Sequence, residues 1–142
     1  MPLIQDKDRK AVRQEFEKGL EKPVKLVVFT QSFECQYCAT NRQLAEELAS
    51  ISDQVDLEVY NFVTDKEVAG SYGVDKIPAI AIVGEKDYGV RYYGIPSGYE
   101  FSSLVADIIG VSQGDSGLAQ ATREALVGLA EPVHLQVLVT PT

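Results

Sequence analysis

Hydrophobic residues recur at two different spacings along the chain, and the spacings predict helices and strands in a definite order. Apolar residues at every fourth position, with charges between them, predict a first helix over residues 6–20, with Asp6 as its N-cap and Pro23 beyond its end. Short runs rich in β-branched residues, or alternating apolar and polar, predict strands. The predicted strands are residues 24–30, 55–62, 78–83 and 88–93, and the further helices are residues 36–51, 65–72 and 99–109.

The order of these elements predicts an α/β fold. The first two strands are joined through a helix, so they should be parallel with a right-handed crossover. Residues 84–87 form a turn between the last two strands, which adds an antiparallel hairpin. We therefore expect a mixed four-stranded sheet flanked by helices on both faces, in a unit that spans residues 1–110.

Residues 111–142 repeat part of what precedes them. After a linker rich in Gly and Ser at 110–117, the pattern predicts a helix over 116–129 and a strand at Val133–Val139. An offset of 109 residues aligns seven identical pairs: Glu15 with Glu124, Gly19 with Gly128, Leu20 with Leu129, Pro23 with Pro132, Val24 with Val133, Leu26 with Leu135 and Val28 with Val137. The repeat predicts that residues 111–142 begin a second, incomplete copy of the unit.

Composition and charge restrict the classes of partner. The 142 residues carry 13 Lys and Arg against 21 Asp and Glu, a net charge of −8, which argues against nucleic acid or an anionic membrane as the main partner. No apolar run is long enough to span a membrane, and the charged N-terminus lacks the apolar core of a secretion signal. Two cysteines are too few for a disulfide-rich secreted scaffold, so a cytoplasmic location is expected.

The two cysteines are only two residues apart, between a buried strand and a helix. A helix N-terminus offers unpaired N–H groups and the positive end of the helix dipole, and both favour a thiolate at Cys35. We expect Cys35 to be the exposed attacking thiol and Cys38, one turn further on, to be the buried resolving thiol.

Two alternatives remain for the pair. A Cys-x-x-Cys motif can form half of a zinc site, but zinc prefers four ligands and the sole histidine, His134, lies far along the chain. The thiols could also be inert or form a plain structural disulfide. The position between a strand and a helix favours redox chemistry.

Ile77 and Pro78 form a second candidate element, at the start of the third strand. A proline there cannot serve a central ladder. A cis peptide bond in a turn would fit, and would leave the backbone of Ile77 open for pairing with an extended substrate peptide.

With these features the chain resembles the thioredoxin fold, with Cys35-Gln36-Tyr37-Cys38 as the active-site motif and Ile77-Pro78 as the cis-proline loop. It is most similar to the glutaredoxin-like protein disulfide oxidoreductases of thermophilic archaea and bacteria, which carry two thioredoxin units in tandem. The resemblance rests on the first helix, the KLVVFTQ strand, CQYC, the stretch from Asp87 to Phe101 and the terminal VLVTPT, which in that family leads into a second Cys-x-x-Cys.

The resemblance implies a thiol–disulfide oxidoreductase that exchanges its own dithiol with protein disulfides. Cys35 and Cys38 would be catalytic, and Gln36, Tyr37, Ile77 and Pro78 would contact the substrate. No cofactor beyond the dithiol is required, and a reductase or a small thiol would supply electrons. Thioredoxins also keep a buried acidic residue in the strand before the motif, where this chain has only apolar residues from Val27 to Phe29.

Two other functions fit the same sequence: a non-catalytic interaction or scaffold unit, and a glutathione-dependent activity of the glutaredoxin type. The apolar segment Val133–Val139 should either lie disordered or pair with the sheet of a second molecule, giving a homodimer.

Overall fold

The computed structural model describes residues 1–140, and it forms an α/β fold. In chain order the elements are α1 (Asp6–Gly19), β1 (Val24–Thr30), α2 (Cys38–Ala49), β2 (Val55–Asn61), α3 (Lys66–Ser71), β3 (Ala79–Val83), β4 (Val90–Tyr93), α4 (Tyr99–Gln113) and α5 (Gln120–Val127).

The four strands form one mixed sheet in the order β2-β1-β3-β4. β1 pairs in parallel with β2, with Val24 opposite Val55, and antiparallel with β3, with Phe29 opposite Ala79. β3 and β4 form the antiparallel hairpin. The predicted sheet, with its parallel crossover and its hairpin, is confirmed.

Both faces of β1 are buried, which explains its unbroken apolar sequence. Leu26 and Val28 face a core shared with α1, α2 and α4, whereas Val27 and Phe29 face a smaller core beneath α3. Burying each such side chain contributes about 1.5–3 kcal/mol to folding. β1 is thus the most enclosed element of the sheet, and the Cys-x-x-Cys motif follows directly from it.

Some element ends differ from the prediction. α1 has Gln5 as its N-cap and no side-chain cap, so Asp6 lies within the first turn. α2 begins at Cys38 rather than at residue 36, since Gln36 and Tyr37 form a turn. α4 continues to Gln113 because Val111 and Ser112 are buried, and it ends at Gly114 in the left-handed conformation.

The N-terminal residues are tied to α2. The Glu47 carboxylate accepts hydrogen bonds from the N–H groups of Leu3 and Ile4, at 2.9 and 2.8 Å. Burial raises the pKa of the Glu47 carboxyl, but the hydrogen bonds from the Ile4 and Leu3 N–H groups together lower it by more. The pKa of Glu47 therefore lies below its ordinary value.

The predicted strand at Val133–Val139 is not formed within residues 1–140. The predicted helix before it is present as α5, but residues 132–140 have no regular secondary structure, and the side chains from Val133 to Val139 are exposed. An apolar sequence makes a strand only when another strand completes its hydrogen bonds, and within residues 1–140 none lies beside this segment. Two residues of the predicted second copy, Pro141 and Thr142, lie outside the described residues.

Within residues 1–140, every helix is too short or too polar to cross a membrane.

Candidate active site

Cys35 and Cys38 form a disulfide, with their Cα atoms 5.5 Å apart. Cys35 lies in the loop after β1 and is partly exposed, whereas Cys38 is the first residue of α2 and only 1% exposed. The Asn41 N–H donates to the Tyr37 carbonyl at 3.0 Å and closes the first helical turn. An attacking thiol can therefore reach Cys35 far more easily than Cys38, as the predicted roles of the two sulfurs require. In this oxidised state neither sulfur is available as a zinc ligand.

The loop before the motif turns sharply and presents aromatic side chains. Glu34 has a φ of 55°, a left-handed conformation that few residues other than glycine adopt and that is common near functional sites. Phe33 and Tyr37 are largely exposed, at 81% and 54%. Two exposed aromatic rings therefore flank Cys35 in the chain, one two residues before it and one two residues after it.

The Ile77–Pro78 peptide bond is cis, as predicted. Pro78 directly precedes β3, and Ala79 pairs with Phe29 near the end of β1, so the cis bond and the motif occupy the same edge of the sheet. The Gly94 N–H donates to the Pro78 carbonyl at 2.9 Å. Pro78 is buried and Ile77 is half-buried, and within residues 1–140 the backbone of Ile77 has no hydrogen-bond partner.

Charges beside Ile77 are paired with each other. Lys76 Nζ lies 2.8 Å from the Asp75 carboxylate and 4.7 Å from the centre of the Tyr93 ring. The Asp75–Lys76 hydrogen bond lowers the pKa of Asp75 and raises that of Lys76. The pair leaves the surface next to Ile77 without net charge, which suits an apolar peptide.

The strand that leads to the motif holds no acidic group. Val27, Val28 and Phe29 are fully buried, and the Phe29 ring packs against Tyr60 and Tyr72, with centroids 5.9 and 5.8 Å away. The buried polar side chains of residues 1–140 are Asn41 and Ser112.

The sequence interpretation missed Asn41. It lies one turn after Cys38 on α2, fully buried, and neither its Nδ2 nor its Oδ1 has a hydrogen-bond partner within residues 1–140. The signal was present in the sequence, since Cys38, Leu44, Ala45 and Leu48 form the buried stripe of α2 and Asn41 falls on that stripe. A polar residue at a core position next to a reactive group is a candidate for a role in its chemistry.

A Cys-x-x-Cys disulfide at the carboxyl end of a central strand, at the same sheet edge as a cis-proline, defines the class as thiol–disulfide oxidoreductases. Residues 24–106 match the thioredoxin domain family, a stretch that contains the motif, the cis bond and all four strands of the sheet. The chain belongs to this family. Thioredoxin-like proteins act on protein thiols and disulfides, with reductases as partners.

Individual relatives agree with this assignment. A probable thioredoxin of Methanothermobacter marburgensis is 36% identical over 87 residues, which cover 61% of this chain and 96% of the relative. The crystal structure of a protein disulfide oxidoreductase from Aeropyrum pernix superposes with a TM-score of 0.79 at 28% identity, covering 91% of this chain and 56% of the other. The chain thus spans a little over half the length of that oxidoreductase.

A domain of an alkylhydroperoxide reductase from Enterococcus faecalis shares the fold. Its TM-score is 0.78 at 23% identity, and the match covers 89% of this chain and 61% of the other.

Proposed function

We propose that the protein exchanges its Cys35–Cys38 dithiol with disulfides of other proteins. The observation that carries the proposal is the asymmetry of the disulfide, in which a partly exposed sulfur is bonded to one that is only 1% exposed. With this arrangement the substrate forms its mixed disulfide at the accessible Cys35, and the inaccessible Cys38 is left to resolve it.

The exchange proceeds in two balanced steps. The Cys35 thiolate attacks one sulfur of the substrate disulfide, forming a mixed disulfide and releasing the other substrate sulfur as a thiolate. Cys38 then loses its proton to solvent and attacks the Cys35 sulfur, which closes the Cys35–Cys38 disulfide and expels the second substrate thiolate. Two electrons pass to the substrate. A reductase, or two molecules of a small thiol, then supplies two new electrons and two protons to reduce the Cys35–Cys38 disulfide, and is itself oxidised.

We infer that the substrate peptide lies along Gln36, Tyr37, Ile77 and Pro78. The unpartnered backbone of Ile77 supports this placement, since an extended peptide can add hydrogen bonds there. The exposed Tyr37 ring supplies apolar contact on the opposite side of Cys35.

The reaction is tested by reduction of a disulfide-bonded peptide, with dithiothreitol as electron donor. Cys35→Ser should abolish the catalysed rate. Cys38→Ser should retain the attack and accumulate a mixed disulfide at Cys35, visible as a mass increase that dithiothreitol reverses. A wild-type protein that gives no rate above dithiothreitol alone would contradict the proposal and favour the non-catalytic interaction unit.

The substrate surface is tested by Tyr37→Ala. We expect it to raise the KM for the peptide several-fold, an effect of about 1 kcal/mol, because an aromatic contact is lost. Tyr88→Ala is the matched control, since Tyr88 is 42% exposed but lies between β3 and β4, at the other edge of the sheet. Equal effects of the two substitutions would argue against a peptide at Tyr37.

A glutathione-dependent activity is the second candidate, and the electron donor distinguishes it. A glutaredoxin-type site reduces glutathionylated substrates with glutathione as donor, whereas the proposed exchange turns over with a dithiol donor alone. The donor dependence of the rate therefore decides between the two.

We also propose that the redox unit, predicted as residues 1–110, extends to Gly114, where α4 ends, and that the residues after it, to 142, begin a second unit of the same kind. The repeat at an offset of 109 residues supports this division.

Val133–Val139 would then pair with an edge strand of a second copy of the chain. A dimer by sedimentation that Val137→Asp dissociates is the expected result, and a monomer at millimolar concentration would contradict the pairing. A cytoplasmic location stays a prediction.

A further inference from the structure

Asn41 is the buried polar side chain of residues 1–140 that lacks a partner. The other buried polar side chain is Ser112, whose hydroxyl accepts from the N–H groups of Glu21 and Lys22 at 2.9 and 3.0 Å and donates to the Lys22 carbonyl at 2.7 Å. Asn41 carries two N–H donors and a carbonyl acceptor, and all of them lie out of contact with hydrogen-bonding groups of residues 1–140. Leaving such groups buried and unsatisfied costs about 1–3 kcal/mol.

Asn41 and Cys38 lie on the same buried face of α2. The two residues are three apart on α2, and both belong to the buried face of the helix that packs on β1 and β2. Residues at this spacing are neighbours on a helix surface, with Cβ atoms about 5–6 Å apart. The backbone N–H of Asn41 is already used by the Tyr37 carbonyl, so only its side chain is available.

The redox state changes what Cys38 can offer. In the disulfide its sulfur has no hydrogen and is a poor acceptor. Reduction breaks the S–S bond and adds two electrons and two protons, so Cys38 becomes an S–H donor or, when deprotonated, a strong acceptor. The same sulfur is released in the mixed disulfide with substrate. Reduction therefore creates a hydrogen-bonding group on the same buried face of α2 as the unpartnered Asn41 side chain.

We propose that Asn41 is a positioning residue for the resolving thiol: its carboxamide hydrogen-bonds Cys38 in the reduced protein and in the mixed disulfide. Asn41 thereby stabilises the dithiol relative to the disulfide and makes the protein a better oxidant than an apolar core would. Among the buried residues of the described chain, 1–140, none is acidic, so Asn41 is the polar side chain buried nearest to Cys38 in sequence. The inference concerns the same cysteine pair as the proposed function and deepens it.

The test is a redox titration of the full chain in dithiothreitol buffers, where the reagent dithiol is oxidised as the protein disulfide is reduced. Asn41→Leu keeps the number and branching of the side-chain heavy atoms and removes the polar groups. We expect its equilibrium to move toward the disulfide by about tenfold, since one hydrogen bond is lost in the reduced state alone. That factor corresponds to a reduction potential lower by about 30 mV.

Ser112→Ala is the matched control. It also removes a buried polar group, but this hydroxyl bonds the backbone before β1, at the far end of the strand from the motif. It should lower the stability of the oxidised and the reduced protein equally and leave the reduction potential unchanged. An Asn41→Leu potential equal to or above that of the wild type would overturn the inference.

A second measurement needs no variant and decides the matter if Asn41→Leu fails to fold. The chain has two asparagines, Asn41 and Asn61, and the Asn61 carbonyl oxygen already accepts from Val63 and Thr64. On reduction, the side-chain NH₂ resonances of Asn41 in ¹⁵N spectra should shift markedly more than those of Asn61. Unchanged Asn41 resonances would overturn the inference.

The titration separates this inference from the proposed function. It requires only that dithiothreitol reduce Cys35–Cys38, without any protein substrate. A protein that fails to reduce a peptide disulfide but shows the Asn41 shift would contradict the proposed function alone. A protein that turns over normally and shows no dependence on Asn41 would contradict the inference alone.

Discussion

Two segments of this chain share a sequence pattern and differ completely in structure. Residues 24–28 read VKLVV and residues 133–137 read VHLQV, and each follows a proline and a predicted helix. The first is the start of β1, buried on both faces. The second has no regular structure and is exposed.

The difference lies in their neighbours. β1 has β2 on one side and β3 on the other, so its N–H and C=O groups are satisfied in both directions. Residues 133–137 have no strand beside them within residues 1–140. The helices that accompany the two segments differ in the same way, since α1 buries Val12 and Phe16 whereas α5 buries no residue. A local apolar pattern therefore shows that a segment can form a β-strand, and pairing with a neighbouring strand decides whether it forms one.

Hydrogen exchange should show the largest contrast. The amides of Val24–Thr30 should open only with the whole fold. Those of Val133–Val139 should exchange at nearly the rate of an unstructured peptide at protein concentrations low enough to keep the chain monomeric. We expect rates at least ~10³-fold apart, given ordinary domain stabilities. The proposed pairing with a second copy should then appear as protection of Val133–Val139 that grows with protein concentration.

The matched pair Leu26→Ala and Leu135→Ala isolates the contribution of packing. Leu26 is 0% exposed and Leu135 is 85% exposed, although they occupy equivalent positions in the repeat. Leu26→Ala should lower the free energy of unfolding by about 2–5 kcal/mol, and Leu135→Ala should change it by less than about 0.5 kcal/mol. Chemical denaturation measures both. A comparable loss at Leu135 would show that the second segment is packed in solution.

The N-terminal residues are held to α2 by hydrogen bonds to Glu47, whereas Val133–Val139 is exposed and irregular. Glu47→Gln tests the contribution of these hydrogen bonds. We expect a loss of about 1 kcal/mol at neutral pH, because the hydrogen bonds to Leu3 and Ile4 lose their charged acceptor. Glu46→Gln is the control, since Glu46 pairs with Arg42 and does not touch the N-terminus.

The pH dependence of this effect has a definite sign. The folded pKa of Glu47 lies below the ordinary value of 4.5, so its contribution is fully present above pH 4.5 and is lost as the pH falls through the folded pKa. The difference in stability between the wild type and Glu47→Gln should therefore shrink below pH 4.5. A difference that stays constant down to pH 2 would mean that the carboxylate charge is not what holds the N-terminus.

The smallest effect is expected from Arg123→Gln. Arg123 pairs with Asp115 at 2.6 Å and donates to the Leu118 carbonyl, all within the exposed region around α5. Its loss should leave the midpoint of global unfolding unchanged while reducing the helical signal of α5. A shift in the global midpoint would show that α5 is coupled to the sheet.

The sequence was sufficient for the sheet and for the motif, because both depend on strong local patterns. The apolar run of β1 and the cysteine spacing each have few alternative interpretations. The cis bond at Pro78 was also expected, from its combination with the cysteine pair.

The failures were of a different kind. Val133–Val139 has the pattern of a strand, but a pattern contains no information about whether a partner strand is present. Asn41 was missed although its place on the apolar stripe of α2 can be found in the sequence. Its lack of a partner is visible only once α2 is packed on the sheet.

The burial of Cys38 makes its reactivity a measure of local unfolding at the start of α2. Its sulfur is enclosed as the first residue of α2, so in the reduced protein an alkylating reagent can modify it only when that end of the helix detaches. The ratio of the alkylation rates of Cys38 and Cys35 should therefore measure how often the N-terminal end of α2 opens. Alkylation of Cys35 reports direct encounter with the reagent, whereas alkylation of Cys38 reports local unfolding of α2.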